Sequence, residues 1–294
     1  MNPAEFAHKL TSKTKLIILQ YTFGIKPARE AILALAQSKN IPVLEDITHG
    51  FDPGLFQNDR FQTMKLLSFG RSKAFSSVFG GALVVHDATL STKIEKRLTS
   101  LTSPATSVIL RVLLYKILAM TIKSNYDIML GKLLHKVFNA LGLLIPEISR
   151  VEKRGEYDPK MEKNYPNCLA TLLLHQLGKY EGILNRRAKA TTIYSNFFIN
   201  QKNIQGAPMS SKPLSRYPLL VNNRQRVLGS MMPQNIFLGT WYSQVIAPKE
   251  VDVQKLGYTP GSCPVAEHVS KHVINLPTNV SEEEAKKIVT LFHG

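Results

Sequence analysis

The stretch that decides the fold is "LIILQYTFGIKPAREAILALAQSKNIPVLED", residues 16–46. It opens on an apolar run that predicts a buried strand and a turn at Gly24. Residues 27–40 then carry apolar side chains at helical spacing, with Pro27 at the predicted helix start. A second apolar run, 41–46, ends in two acids, which is typical of a parallel strand whose carboxyl end faces a site. This order predicts a right-handed βαβ unit.

Further segments extend the α/β pattern along the chain. Two more strands are predicted at 64–69 and 80–87, one polar connector at 155–167 and one long helix at 168–198. A shorter α/β region closes the chain, and its last helix begins with the capping-box pair Ser281 and Glu284.

The middle of the chain has a different composition. From 96 to 146 the only acid is Asp127, and two apolar helices are predicted at 107–122 and 128–145. In the second helix, Lys132, His135, Lys136 and Asn139 fall on one side, and the other side is formed by Leu130, Leu133, Leu134, Val137, Phe138 and Leu141. Neither run reaches the roughly 18 apolar residues of a membrane span. Two interpretations stay open: a helical pair packed on the small domain or at a dimer interface, or a basic amphipathic face over 107–145 resting on an anionic membrane.

The overall charge and the cysteines restrict the partners and the compartment. The formal charge is +16, which attracts anions, and no zinc-type cysteine cluster or RNP-like strand supports nucleic-acid binding beyond that charge. Cys168 and Cys263 match no disulfide framework, and the first residues lack the apolar core of a secretory signal. We therefore expect a cytoplasmic protein, with peripheral contact to the inner membrane face as an alternative.

Four polar or ionisable side chains lie at or just after the ends of the predicted strands. Asp46 ends one strand and His49 follows three residues later, while Ser68, Lys73 and the pair Gly80-Gly81 follow the next strand. Because parallel strands bring their carboxyl ends together, these side chains are expected to line one crevice. An acid, a hydroxyl and an amine there suit pyridoxal phosphate, which has a basic ring nitrogen, a phosphate and an aldehyde.

The order of these residues resembles the DegT/StrS sugar aminotransferases, a group within the fold-type I pyridoxal-phosphate enzymes. The residues that carry the resemblance are Glu45-Asp46, His49, Ser68-Phe69, Lys73 and Gly80-Gly81. Two longer segments are also similar to that family, "HQLGKYEGILNRRAKATTIYSNF" and "CPVAEHVSKHVINLPTNVSEEEAKKIV". The likeness extends over most of the chain apart from roughly residues 95–160, and its strength lies in the combination of motifs.

The resemblance implies a fold-type I α/β architecture with a mostly parallel sheet. Residues 1–95 would form part of the cofactor-binding large domain, 96–155 a basic helical insert, and 156–294 a long helix with a smaller α/β domain. The chain starts at what resembles the family's third or fourth strand, so we expect a truncated form of an ordinary enzyme.

The resemblance also implies roles for four residues. Lys73 would bind the cofactor aldehyde covalently and transfer protons, and Asp46 would keep the pyridine nitrogen protonated. His49 would lie against the cofactor ring, and Ser68 would donate to its phosphate. The implied activity is amination of a nucleotide-linked keto-sugar with an amino-acid donor, expected to be glutamate, in a homodimer.

Two further departures from the family pattern leave alternatives. Phe79 stands where the family usually has Glu before Gly-Gly, and either Asn164 or Asn167 could be the asparagine lent to the partner subunit's phosphate site. A sugar dehydratase of the same group is one alternative, although such enzymes replace the lysine that is present here as Lys73. A chain that keeps the fold as a binding or membrane-surface protein without activity is the other.

Overall fold

The computed structural model describes residues 2–57, 59–126, 128–201, 204–205, 209–248 and 250–292. The helices are α1 Pro3–Lys9, α2 Arg29–Ser38, α3 Ala88–Thr99, α4 Thr106–Ser124, α5 Leu130–Ala140, α6 Asn167–Leu177, α7 Tyr180–Phe198, α8 Arg224–Met231, α9 Pro264–His272 and α10 Glu282–Thr290. The strands are β1 Ile17–Gln20, β2 Val43–Asp46, β3 Met64–Ser68, β4 Gly81–Val84, β5 Ile204–Gln205, β6 Arg216–Val221 and β7 Val273–Pro277.

The first sheet has the order β1-β2-β3-β4, with β1, β2 and β3 parallel and β4 antiparallel to β3. The predicted βαβ unit is therefore confirmed. Helix α2 starts at Arg29, two residues after the predicted start at Pro27. It packs on the sheet through Ile32, Leu33 and Ala36, all at most 1% exposed. Burial of this apolar face supplies the main stabilisation of the unit.

A cluster of buried charges lies beside this apolar core. Glu45 on β2 is fully buried and accepts hydrogen bonds from Arg29 Nε at 2.8 Å and Nη2 at 2.9 Å. The hydroxyls of Tyr21 and Thr63 also donate to Glu45. Burial alone raises the pKa of Glu45, but these hydrogen bonds outweigh it and hold the pKa below its ordinary value. The carboxylate is thus charged and fully partnered.

The second sheet is antiparallel, with the order β5-β6-β7. Tyr194 of α7 and Tyr217 of β6 are fully buried and 5.4 Å apart between ring centroids. Helix α10 packs on the same core, and the capping box of Ser281 and Glu284 is confirmed at its start. The small closing α/β unit expected from the sequence is present.

The prediction of a single long helix over 168–198 is wrong. The segment forms two helices, α6 and α7, with Gly178 and Lys179 between them. Glycine is the poorest helix former after proline, at about 1 kcal/mol relative to alanine, and Lys179 leaves the helical region with φ −109° and ψ 11°.

The basic insert contains the two predicted helices, α4 and α5, which pack as a hairpin. Arg111 Nη1 on α4 donates to the carbonyl of Gly142 just after α5, at 2.9 Å. On the apolar side of α5, Leu130, Leu133 and Val137 are 42%, 57% and 41% exposed, while Leu134 and Phe138 are half-buried. Among the described residues, no helix is long and apolar enough to cross a membrane.

The buried charge cluster makes a prediction for stability. Replacement of Arg29 by Met leaves Glu45 buried without its main cation, so we expect the free energy of unfolding to fall by about 3–5 kcal/mol. The control is Arg60→Met, which removes a pair between side chains that are 72% and 58% exposed and should cost about 1 kcal/mol or less. Urea denaturation at neutral pH measures both values.

Acid should reduce stability through the same cluster. Burial raises the pKa of Asp59, but hydrogen bonds from Lys65 and Arg29 outweigh it and lower the pKa to about 2, from the ordinary 3.8. The contribution of Asp59 is therefore complete above its unfolded pKa and is lost as the pH falls toward 2. Equal costs for the two arginine variants, or equal acid sensitivity of wild type and Arg29→Met, would contradict this assignment.

Candidate active site

Asp46 ends β2 at the carboxyl edge of the parallel strands, as predicted. The Thr48 amide donates to Asp46 Oδ1 at 3.0 Å, and Gln20 Nε2 of the neighbouring strand donates to Oδ2 at 3.4 Å. These two donors orient the carboxylate, which remains half-buried. An oriented carboxylate at a strand end can accept a hydrogen bond from a ligand that enters the edge of the sheet.

Lys73 lies in the turn that connects β3 to β4. Its amide donates to the Gly70 carbonyl at 3.2 Å, and the turn is closed by the Phe69 amide donating to the Gly80 carbonyl at 2.8 Å. The side chain is half-buried. Burial lowers the pKa of Lys73, while the charges of Asp46 and Glu147 raise it by less, so the net shift is downward. The structure thus brings Lys73 and Asp46 within electrostatic reach, and a larger fraction of the amine is unprotonated and nucleophilic.

Ser68, Lys73 and Glu147 gather around Gly70. A Cβ atom at Gly70 would lie 3.4 Å from Glu147 Oε1, 3.5 Å from Ser68 Oγ and 3.9 Å from Lys73 Cγ. Ser68 Oγ accepts a hydrogen bond from the Gly70 amide at 3.4 Å. Gly70 therefore marks the point where a hydroxyl, an amine and a carboxylate meet.

His49 lies between aromatic rings. The centroid distances are 5.9 Å to Phe23, 6.0 Å to Tyr242 and 6.3 Å to Trp241, and each pair is stacked. The Phe23 amide donates to His49 Nδ1 at 3.5 Å, and His49 Nε2 lies 3.1 Å from the Tyr242 hydroxyl oxygen. With Nδ1 accepting, the neutral imidazole carries its proton on Nε2 and donates it to Tyr242.

The charge state of His49 follows from its surroundings. Burial, and next the charge of Lys73, lower the pKa of His49 to about 4, against a smaller opposite effect from Asp46. The imidazole is therefore neutral at neutral pH. Its flat, uncharged ring is suited to stack on a heteroaromatic ligand.

Three residues of this site were missed by the sequence analysis: Glu147, Trp241 and Tyr242. Burial, with the charges of Asp46 and Glu147, raises the pKa of Tyr242, so its hydroxyl stays protonated. Tyr242 lies 193 residues from His49, and no local pattern connects the two. The single tryptophan of the chain, beside a tyrosine, was the available signal.

The Gly80-Gly81 pair is required by close packing. Gly80 has φ +115°, and a Cβ there would lie 2.3 Å from the Tyr165 ring. A Cβ at Gly81 would lie 2.8 Å from the Leu67 carbonyl oxygen. Any larger residue at either position would displace β4 or Tyr165.

Phe79, Asn164 and Asn167 are the positions at which the sequence departs from the family pattern, and the structure shows what surrounds each of them. Phe79 packs with Val78 and Val112 and lies 5.3 Å below the Arg71 guanidinium, so it contacts the hairpin. Asn164 Nδ2 donates to the Leu101 carbonyl, and Asn167 begins α6 with an exposed side chain.

The comparisons with known proteins agree with this architecture. The sequence model of the DegT/DnrJ/EryC1/StrS aminotransferase family matches residues 1–112 and 136–293, and the chain belongs to that family. The resemblance and the fold-type I assignment are confirmed.

The similar curated proteins are named as aminotransferases. An L-glutamine:2-deoxy-scyllo-inosose aminotransferase of Streptomyces paromomycinus is 30% identical over 32% of this chain and 23% of its own length. A dTDP-4-amino-4,6-dideoxy-D-glucose transaminase of Shigella dysenteriae is 31% identical over 30% and 24%. The matches thus span less than a quarter of these curated relatives.

Solved structures show the same fold at low identity. DesV of S. venezuelae has a TM-score of 0.64 and 15% identity, over 99% of this chain and 68% of its own. An E. coli GDP-4-keto-6-deoxy-D-mannose-3-dehydratase with bound hydrated PLP has a TM-score of 0.64 and 14% identity, over 99% and 70%.

The shift at His49 gives a prediction for the site. In Lys73→Met the positive neighbour is lost, so we expect the pKa of His49 to rise from about 4 toward the ordinary 6.5. In Asp46→Asn the favourable negative charge is lost, so the pKa should fall further. NMR titration of the imidazole measures both, and Lys93→Met, at an exposed position, is the control. Shifts in the same direction in the two site variants would refute the proposed proximity.

Proposed function

We propose that this chain is a pyridoxal-phosphate-dependent aminotransferase that converts a nucleotide-linked keto-sugar to an amino-sugar. The observation that carries the proposal is the half-buried Lys73 amine, with its lowered pKa, in electrostatic contact with the oriented carboxylate of Asp46. Family membership supports the reaction class, and the transaminase names of the relatives support the substrate class.

The residues present fit the cofactor. Lys73 Nζ is the group that would hold the aldehyde, and its lowered pKa favours the unprotonated, attacking form. The Asp46 carboxylate would accept a hydrogen bond from the ring nitrogen and keep that nitrogen protonated. The neutral ring of His49 would stack on the cofactor, and the Ser68 hydroxyl would donate to its phosphate.

Each of these groups has a task during turnover. Pyridoxal phosphate supplies, when bound, an aldehyde that carries the amino group and a ring that accepts electrons. Lys73 Nζ, once free, would remove the proton from Cα of the amino-acid donor and, in the separate second half of the reaction, would deliver a proton to the sugar carbon that is aminated. The carboxylates of Asp46 and Glu147 would stabilise the ammonium form of Lys73 between these transfers. The hydroxyl of Tyr242 holds the ring of His49 in place.

The donor and the assembly are the finer parts of the proposal. We expect an amino-acid donor, with glutamate as first choice, and a homodimer. The basic surface would attract both the nucleotide phosphates and the donor carboxylates.

The binding test uses light absorption. The purified chain with added pyridoxal phosphate should show a visible band that Lys73→Ala lacks and Lys93→Ala keeps, since Lys93 is exposed. Borohydride reduction and peptide mass spectrometry should place the cofactor on Lys73. Label on another lysine, or no band in the wild type, would contradict the assignment.

The reaction test separates the two enzyme classes of this fold. With glutamate and a nucleotide-linked keto-sugar, we expect an amino-sugar product, and Asp46→Asn should slow its formation roughly 10²–10³-fold. Mass spectrometry of the product distinguishes amination from loss of water. A dehydrated product would favour the dehydratase alternative, whose E. coli representative shares the fold.

A further inference from the structure

The hairpin of α4 and α5 carries apolar side chains on its outside. On α4, Leu110, Leu113, Ile117 and Met120 recur every three or four residues and are 54%, 38%, 61% and 62% exposed. On α5 and at the residue that follows it, Leu130, Leu133, Val137 and Leu141 have the same spacing and are 42%, 57%, 41% and 66% exposed. Such spacing gathers each set into one stripe.

Both stripes include residues that lie opposite the cavity under the hairpin. A cavity of about 550 Å³ lies on the inner side of the hairpin and is lined by Tyr115 of α4 and His135 of α5. Residues two positions apart in a helix lie about 200° apart around its axis. Ile117 is therefore opposite Tyr115, and Val137 is opposite His135. The stripes form one outward apolar surface, here called the hairpin face, and it continues over the exposed tip residues Ile128 and Met129.

The exposed stripe of α5 is additional to the apolar side chains that the helix packs inward, because Leu134 and Phe138 are half-buried. His135 and Asn139 border the cavity together with Arg71 and remain exposed. An apolar surface of this extent on a water-exposed element marks an interaction site. The outer half of the hairpin, residues 113–135, also lies outside the family match, so the shared family architecture does not account for it.

Positive charges border the hairpin face. Lys116, Lys123, Lys132 and Lys136 are exposed. Among the described residues from 96 to 146 there is no carboxylate, and Asp127, the single acid in this stretch of sequence, lies outside the described residues. A partner must therefore accept apolar side chains and offer negative charge.

We propose that the hairpin face docks on an anionic lipid bilayer, an inference that goes beyond the proposed catalytic function. A second copy of the chain is the less suitable occupant, because a two-fold contact places the same patch of both copies together and so brings two positively charged borders near each other. An anionic bilayer pairs the lysines with headgroups and receives the apolar stripes at the acyl boundary. The hairpin then lies on the membrane and does not cross it.

Vesicle flotation tests the partner. The full chain should float with phosphatidylcholine vesicles that contain phosphatidylglycerol, and should remain free with phosphatidylcholine alone. Lys116→Gln and Lys123→Gln should each weaken binding about fivefold, the value expected for one lysine near an anionic surface. Lys13→Gln, an exposed lysine outside the hairpin, should leave binding unchanged. Equal binding to both vesicle types would overturn the proposal.

Variants of the apolar stripes provide a second test of vesicle binding. Ile117→Ser and Leu133→Ser should each weaken vesicle binding about tenfold, while Leu174→Ser, at a position 69% exposed on α6, should not. Circular dichroism and the visible cofactor band should be unchanged in all three, so that a failure here is distinct from failure of the catalytic proposal. If sedimentation velocity instead shows a dimer that Ile117→Ser dissociates, with no vesicle binding, the hairpin face is a contact between copies and the proposal is overturned.

Discussion

The position of the site depends on the buried carboxylate of Glu45. Its oxygens are bound by Arg29 from α2, by Tyr21 next to β1 and by Thr63 just before β3. A charge in the interior is tolerated only when its hydrogen bonds are complete, so all three donor side chains must be in position at the same time. This condition fixes how the end of β2 lies against its neighbours. The next residue, Asp46, then emerges at the carboxyl edge with its side chain oriented.

Opposing electrostatic effects set the properties of the site. Burial and Lys73 keep His49 neutral, while the charges of Asp46 and Glu147 limit how far burial lowers the pKa of Lys73 itself. The result is one amine with a reduced proton affinity, two carboxylates and an uncharged ring. Such a balance suits a group that must act as nucleophile and as proton carrier in turn.

Local patterns in the sequence were sufficient for the parts of the fold that local physics determines. The strands, α2 and the capping box at Ser281 follow from residue periodicity and end signals. Asp46, His49, Ser68 and Lys73 could be placed at one edge because parallel strands align their carboxyl ends, and the structure brings them together.

Other features could not be predicted from the sequence, and the reasons are physical. Trp241 and Tyr242 reach His49 only through tertiary folding, and Glu147 arrives from the far side of the insert, so no spacing rule could find them. The break at Gly178 was overlooked because the apolar pattern continues through it in helical phase. The outward direction of the α5 stripe was missed because periodicity defines a face but not which neighbour covers it.

The segment that returns from the hairpin links it to the lysine site. Ile145, Pro146 and Ile148 line the hairpin cavity, while Glu147 among them places its carboxylate beside Gly70 and acts on Lys73. The insert is therefore not a detachable module. A shortened variant that lacked the hairpin and the segment returning from it would also remove a negative charge from the surroundings of the Lys73 amine. Such a variant would need a substitute acid elsewhere to keep the same charge balance around Lys73.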